Sequence, residues 1–239
     1  MPLYRIADFT LSVEPKHPEF LERCRAYLAP EGATADFSLS VEEDMLKRVA
    51  HALPDQAAEY IEFVCVYRAF CNEVAKRGAM LFHAAVIEMD GRGYAFAAPS
   101  GTGKSTHISL WRKTFGKRVH IINGDKPVLR EKDGVFTAYG TPWCGKEGWG
   151  RNASAPLAGI CFLHRDTENN IRRLSYEEAV ERVFSQLLQP ATPEGMAETL
   201  RLADLLIRGV PIYELGCTIS EEAARVAYEA MKNKEEGRV

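Results

Sequence analysis

The chain has 239 residues, 46% of them hydrophobic and 26% charged, with 30 basic and 33 acidic side chains and a net charge of −3. This is enough chain to bury a substantial core in one large domain, or in one domain with a small extension. The near balance of charge excludes an electrostatic case for nucleic acid or an anionic membrane, and no apolar run approaches the roughly 18 residues of a membrane helix.

Residues 1–55 read as a small α+β extension. Strand-like pieces at 4–6 and 37–41 alternate with helical ones at 18–27 and 41–52, and Pro15, Pro18, Pro30 and Pro54 punctuate them. The opening lacks a basic region followed by a long apolar one, so no signal peptide is expected. From residue 56 to the end, a single nucleotide-binding domain is predicted. It begins with a helix over 56–77, where Ile61, Val64, Cys65, Tyr67, Phe70 and Val74 keep helical spacing and Gly78 follows as a C-cap. Residues 79–89 read as one strand carrying His83. A turn at 90–93 then returns the chain as the second arm of a β-hairpin.

That second arm, 93–98, runs into Ala98-Pro-Ser-Gly-Thr-Gly-Lys-Ser-Thr106. Gly101 and Gly103 let the backbone curl until successive N–H groups point at one spot, a nest for an anion. Lys104 brings a positive charge to β- and γ-phosphates, and the Ser105 hydroxyl suits Mg²⁺. The helix expected from Thr106 to about Gly116 turns its positive dipole end toward the same place. Strand, loop and helix together predict that Ser100, Gly101, Thr102, Gly103, Lys104, Ser105 and Thr106 bind ATP through its phosphates. The glycine that opens such loops is here Ala98, which predicts a small change of shape.

Beyond the loop helix, 118–123 reads as a buried strand ending in Gly124-Asp125-Lys126, with 127–130 returning beside it. Asp125 stands where a strand's carboxyl end meets polar loop, a common ligand position. It reads as a Mg²⁺ ligand or base, or as a turn-capping aspartate beside Gly124. A second hairpin turns at 132–134 into a strand over 135–139. The polar, aromatic stretch 140–156 is long enough to be functional. Lys146, Glu147 and Arg151 in it are candidates for holding substrate or neutralising charge, and Trp143 and Trp149 for stacking on adenine or for packing. A strand over 157–163, helices over 175–188 and 193–207, a strand over 211–215 and a last helix opened by Ser220 complete the chain, with a polar, fraying tail at 232–239. His107 reads as helix packing. The six cysteines form no C-x-x-C pair and several sit in apolar runs, so a reduced, cytoplasmic setting is expected.

His83 near a hairpin, Ser-Gly-Thr-Gly-Lys-Ser-Thr after it, and an apolar strand ending in Gly124-Asp125 together resemble the HPr kinase/phosphorylase and phosphoenolpyruvate carboxykinase superfamily over roughly 79–165. On its own residues His83 reads as a core histidine, and the resemblance gives it an active-site role. It implies a mixed-sheet, carboxykinase-like phosphate-loop fold with the hairpin leading into the loop. It further implies His83, Asp125 and Lys104 as catalytic groups, Ser105 and Asp125 as metal ligands, and ATP and Mg²⁺ as cofactors. The family's acidic pair is reduced here to Asp125, and the acidic residue of its phosphate loop corresponds to Pro99. These departures weigh against the phosphorylase reaction and against HPr as substrate. The leading expectation is an ATP-dependent kinase acting on a hydroxyl of an unidentified protein, peptide or metabolite, with the oligomeric state open. A regulatory module that hydrolyses ATP slowly is the alternative, and chain length disfavours a carboxykinase.

Overall fold

The computed structural model describes residues 2–232. Of the polar tail expected at 232–239, all but Lys232 lies outside the described residues. The architecture is mixed α/β. In chain order the elements are β1 (Leu3–Ile6), β2 (Phe9–Val13), α1 (Pro18–Arg23), a 3₁₀ turn (Arg25–Tyr27), β3 (Phe37–Leu39), α2 (Glu43–Ala52), α3 (Ala58–Ala75), β4 (Ala79–Leu81), β5 (Ala85–Met89), β6 (Arg92–Ala97) and α4 (Lys104–Phe115). They continue with β7 (Val119–Asn123), β8 (Val128–Lys132), β9 (Val135–Tyr139), β10 (Ser154–Arg165), β11 (Asn170–Arg173), α5 (Tyr176–Phe184), α6 (Pro193–Gly209), β12 (Ile212–Cys217) and α7 (Glu221–Met231).

Two stretches of sheet share β10. Its first residues pair antiparallel with β9, while the rest lies parallel between β6 and β12. One stretch runs β11-β12-β10-β6-β5-β7 and the other β4-β8-β9-β10. Period-two alternation divides the side chains of β6. Tyr94 and Phe96 join Ile108 and Trp111 of α4 and Ala224 of α7, while Ala95 and Ala97 join Val183 of α5 and Leu202 and Leu206 of α6. On the far face of the β4 stretch, Ala79, Leu81 and Val128 share a cluster with Phe63 and Phe70 of α3. Tyr4, Phe20 and Phe37 of the first fifty residues belong to the same cluster.

The expected hairpin is present. Ala85–Met89 pairs antiparallel with Arg92–Ala97 through Asp90 and Gly91, both at positive φ as this two-residue turn requires. Three sequence expectations are corrected. The run 79–89 is two strands, because the chain leaves one stretch of sheet for the other at 82–84. For the same reason β8 does not return along β7: it pairs with β4 and β9, and β7 pairs with β5. Strands β2 and β11 were not anticipated, and β10 begins three residues before the expected 157.

Candidate functional site

The phosphate loop follows β6 directly. Thr102 N donates to Pro99 O at 3.2 Å, and Gly101 and Gly103 hold φ of +77° and +123°. A side chain would be strained at either glycine. Helix α4 begins at Lys104 with no acidic residue in its first turn, so its exposed N–H groups and dipole face the cleft unopposed. Ala98, in the loop's first position, is buried, and its carbonyl accepts from Lys104 Nζ at 3.0 Å. The Arg165 guanidinium at the end of β10 donates to Gly101 O at 3.1 Å. Nothing in the sequence marked Arg165 for that role.

His83 and Asp125 come from the two places where the chain crosses between the sheet stretches. These crossings are stitched together by Phe82 N to Pro127 O and Ala84 N to Asp125 O, both 3.1 Å, while His83 N donates to Gln186 O at 2.8 Å. The two crossings therefore bring together side chains that are 42 positions apart in the sequence. His83 Nε2 lies 3.1 Å from Asp125 Oδ1 and 3.1 Å from Lys104 Nζ. Lys126 Nζ reaches Asp125 Oδ2 at 3.2 Å. Partial burial pushes the Asp125 carboxyl up, but the hydrogen bond with His83 and the charge of Lys126 outweigh it and hold the group below its ordinary range. Burial also lowers the Lys104 ammonium, partly offset by Asp125.

Asn123 builds this corner. It is fully buried, and its Oδ1 accepts from the backbone N–H of Asp125 at 2.8 Å and of Lys126 at 2.7 Å, an Asx turn. Its Nδ2 donates to Thr141 O and Oγ1, each at 3.1 Å, and Thr141 Oγ1 donates to Lys126 O at 2.7 Å. A strand ending Asn-Gly-Asp carried the signal for that turn. Thr141 carried none.

These groups line a cleft of about 850 Å³. Ser100, Gly101, Gly103, Lys104, Ser105 and Thr106 form one side, and Asp125 and His83 lie at the base. The segment 142–147 and Arg23, Tyr60, Phe63, Val64 and Tyr67 form the other side. Four cations (Arg23, Lys104, Lys126, Lys146) face two carboxylates (Asp125, Glu147), so the cleft attracts a polyanion. Arg151 is not among the lining residues. Its backbone N–H donates to Ile122 O, and its carbonyl oxygen occupies the space a Cβ at Gly140 would need. Trp143 is packed: it stacks on Phe70 with ring centroids 5.5 Å apart and donates from Nε1 to Phe63 O at 3.0 Å. His107 is packed as well, lying edge-on to Phe96 at 4.6 Å. Among the described residues no group of three or more His, Cys, Asp or Glu is placed to hold a metal, and no helix is long and apolar enough to cross a membrane. All six cysteines are free.

The family model of SynChlorMet cassette protein ScmC matches residues 51–223. The match spans well over half of the chain, which therefore belongs to that family. No curated protein sequence matches the chain significantly. Among solved structures, the HPr(Ser) kinase/phosphatase from Coxiella burnetii is similar at 11% identity and a TM-score of 0.37, covering 64% of this chain and 99% of that one.

Proposed function

We propose that this ScmC-family protein is an ATP-dependent phosphotransferase that moves a γ-phosphoryl group to a hydroxyl, and that its fold is of the HPr-kinase-like, carboxykinase-like phosphate-loop kind. The observation that carries the reading is the convergence of Lys104, His83 and Asp125 at the mouth of a loop whose backbone is curled for phosphate. Mere nucleotide binding needs neither the histidine nor the carboxylate. Phosphoryl transfer needs a cation at the phosphates and a proton acceptor near the attacking hydroxyl.

In this reading Lys104 leaves Ala98 O and His83 for the β- and γ-phosphates, joined by the N–H groups of 100–106. One ring nitrogen cannot accept from the ammonium and donate to the carboxylate at once. Once Lys104 has moved, His83 Nε2–H donates to Asp125 alone and fixes its carboxylate for the proton of the acceptor. Ser105 and Asp125 would hold Mg²⁺. Both offer oxygen, the carboxylate is kept ionised, and Ser105 lines the cleft with its hydroxyl bonded to no group among the described residues. The chemistry the ion supplies is neutralisation of charge on the phosphate oxygens. The six free cysteines suit a reducing compartment such as the cytoplasm.

Calorimetric titration tests the reading. Mg-ATP and Mg-ADP should bind and AMP should bind far more weakly, because the loop holds phosphates beyond the first. Lys104→Ala should weaken ATP by about 10²-fold, the scale of a lost hydrogen bond to a charged group. Equal affinity for ATP and AMP sinks the reading.

A further inference from the structure

The side of the cleft facing the phosphate loop is made of rings. Tyr60, Phe63 and Val64 of α3 line it, with Arg23 of α1 held 5.2 Å above the Phe63 ring. Phe63 and Tyr67 pack on Trp143 with centroids 5.6 and 5.3 Å apart. Trp143 is two residues from Gly145, where an added Cβ would stand 3.1 Å from Asp125 Cβ. Gly145 thus abuts Asp125, and the charge of Asp125 acts on Tyr67.

The wall also restricts what can sit there. A helix has its backbone groups bonded internally, so α3 offers no N–H or C=O row on which an extended peptide could add a strand. Recognition falls to side chains: the exposed ring of Tyr60, with Phe63 buried beneath Arg23, and two cations at the rim. Arg23 carries Glu19 on Nε and Nη2 and keeps its third nitrogen for another partner. Lys146 is exposed and ion-paired to no carboxylate among the described residues.

Resting on the phosphotransferase reading, we propose that the acceptor is a small hydroxy compound with an apolar, ring-sized body and an anionic group. Its body lies on Tyr60, Phe63 and Val64, its anion faces Arg23 and Lys146, and its hydroxyl meets Asp125. The hydroxyl oxygen forms a bond to the terminal phosphorus of the nucleoside triphosphate. The bond from that phosphorus to its bridging oxygen breaks, and the electron pair leaves on the nucleoside diphosphate. The hydroxyl proton passes to the Asp125 carboxylate.

The test incubates the full chain and Mg-ATP with mandelate and phenyllactate, following phosphate-ester formation by phosphorus NMR. The comparison acceptors are their methyl esters, which lack the anion, glycerate, which lacks the ring, and a serine-containing peptide. At least one aromatic hydroxy acid should react about tenfold faster than its ester and than glycerate, the scale of one lost ring or ion contact, with the peptide at background. Tyr60 is 40% exposed, so Tyr60→Ala spares the core. It should raise KM for the reactive acid about tenfold, while its ATP titration superimposes on wild type. Arg23→Gln should raise KM for the acid and leave that of its ester unmoved. Glycerate or peptide reacting as well as the acids overturns the proposal, as does no ester from either acid in a protein that binds Mg-ATP. Weakened ATP binding in Tyr60→Ala also overturns it, since the wall would then seat the base. Failure of wild type to bind Mg-ATP is a different result, which removes the phosphotransferase reading and this inference with it.

Discussion

On the loop side of the cleft, every group proposed to meet phosphate lies in one stretch, 100–106, and the loop's internal contacts are local: Lys104 to Ala98 O, Thr102 N to Pro99 O. On the other side, Arg23, Tyr60 and Trp143 come from three separate parts of the chain. They meet through contacts such as Trp143 Nε1 to Phe63 O, 80 positions apart. The difference has a chemical sense. Phosphates present the same oxygens on every nucleotide, and a short curled loop before a helix suffices for them. An acceptor is particular, and the wall proposed for it is assembled from helix faces and long loops whose side chains can change while the loop at 98–106 stays intact.

The largest break in that comparison is expected at its seam. Asp125→Asn keeps the side chain's shape, so the Asn123 turn and the phosphate loop should persist and ATP should still bind. On the proposed reading the variant removes the charge that would take the proton and help hold Mg²⁺. Steady-state ADP release with a competent acceptor should fall by roughly 10²-fold or more, the scale of a lost acid–base group. Turnover at the wild-type rate would leave the cleft without a base and favour a regulatory nucleotide-binding module.

The same division decides what could be read in the sequence. The phosphate loop, its strand and its helix were legible because turn, dipole and periodicity are local signals. The switch of sheets at 82–84 was not. Residues 79–89 are apolar almost throughout, and burial on both faces leaves no alternation to mark a break. The pairing of β8 with β4 depends on the Asn123 turn redirecting the chain, which an apolar pattern does not encode. β11, Asn-Ile-Arg-Arg, is an edge strand with one apolar residue. The start of β10 was hidden by Pro156, which has no N–H for a ladder. Asp125 and Lys104 could be named from motif and position, and His83 only through a resemblance. Of the α3 wall only Val64 and Tyr67 entered the helical pattern, and Tyr60 and Phe63 carried no mark, because helical spacing does not say which ring faces a cleft.

A second prediction sharpens the foundation of the loop side. His107 is 3% exposed, and burial pushes its imidazole down to about 4 from 6.5. Its Nε2 accepts from Trp111 Nε1 at 3.0 Å, so the neutral form is built in. The unfolded chain takes up a proton below pH 6.5 while the folded one does not. Stability is therefore full above 6.5 and declines as pH falls toward 4. Between pH 7 and pH 5 this site should cost about 2 kcal/mol, from the linkage of the two values. His107→Gln keeps an acceptor for Trp111 without the titration. Urea unfolding of both proteins at both pH values should show the variant losing less. Equal losses would mean that His107 takes up its proton in the fold.

The smallest effect is expected at the residue between the two sides. His83 Nε2 touches Lys104, which belongs to the loop, and Asp125, which belongs to the seam. His83→Ala frees Lys104 from one of its two partners in the empty cleft, so ATP affinity should not weaken. It also removes the hydrogen bond that helps hold the Asp125 carboxyl low, which should then rise. Lys126 still faces the carboxylate and favours its ionised form, so the base survives and only its aim is lost. Turnover at pH 7 should fall about tenfold, less than in Asp125→Asn, as befits a group that orients another. The sign on the acid side follows from the same shift. A depressed carboxyl contributes stability above its unfolded value and loses it as pH falls through the folded one, and in the variant that contribution shrinks. A fall as deep as that of Asp125→Asn would make the imidazole itself the proton acceptor. No fall at all would make His83 a resting partner for Lys104, and the chemistry would then need only the loop and the one carboxylate.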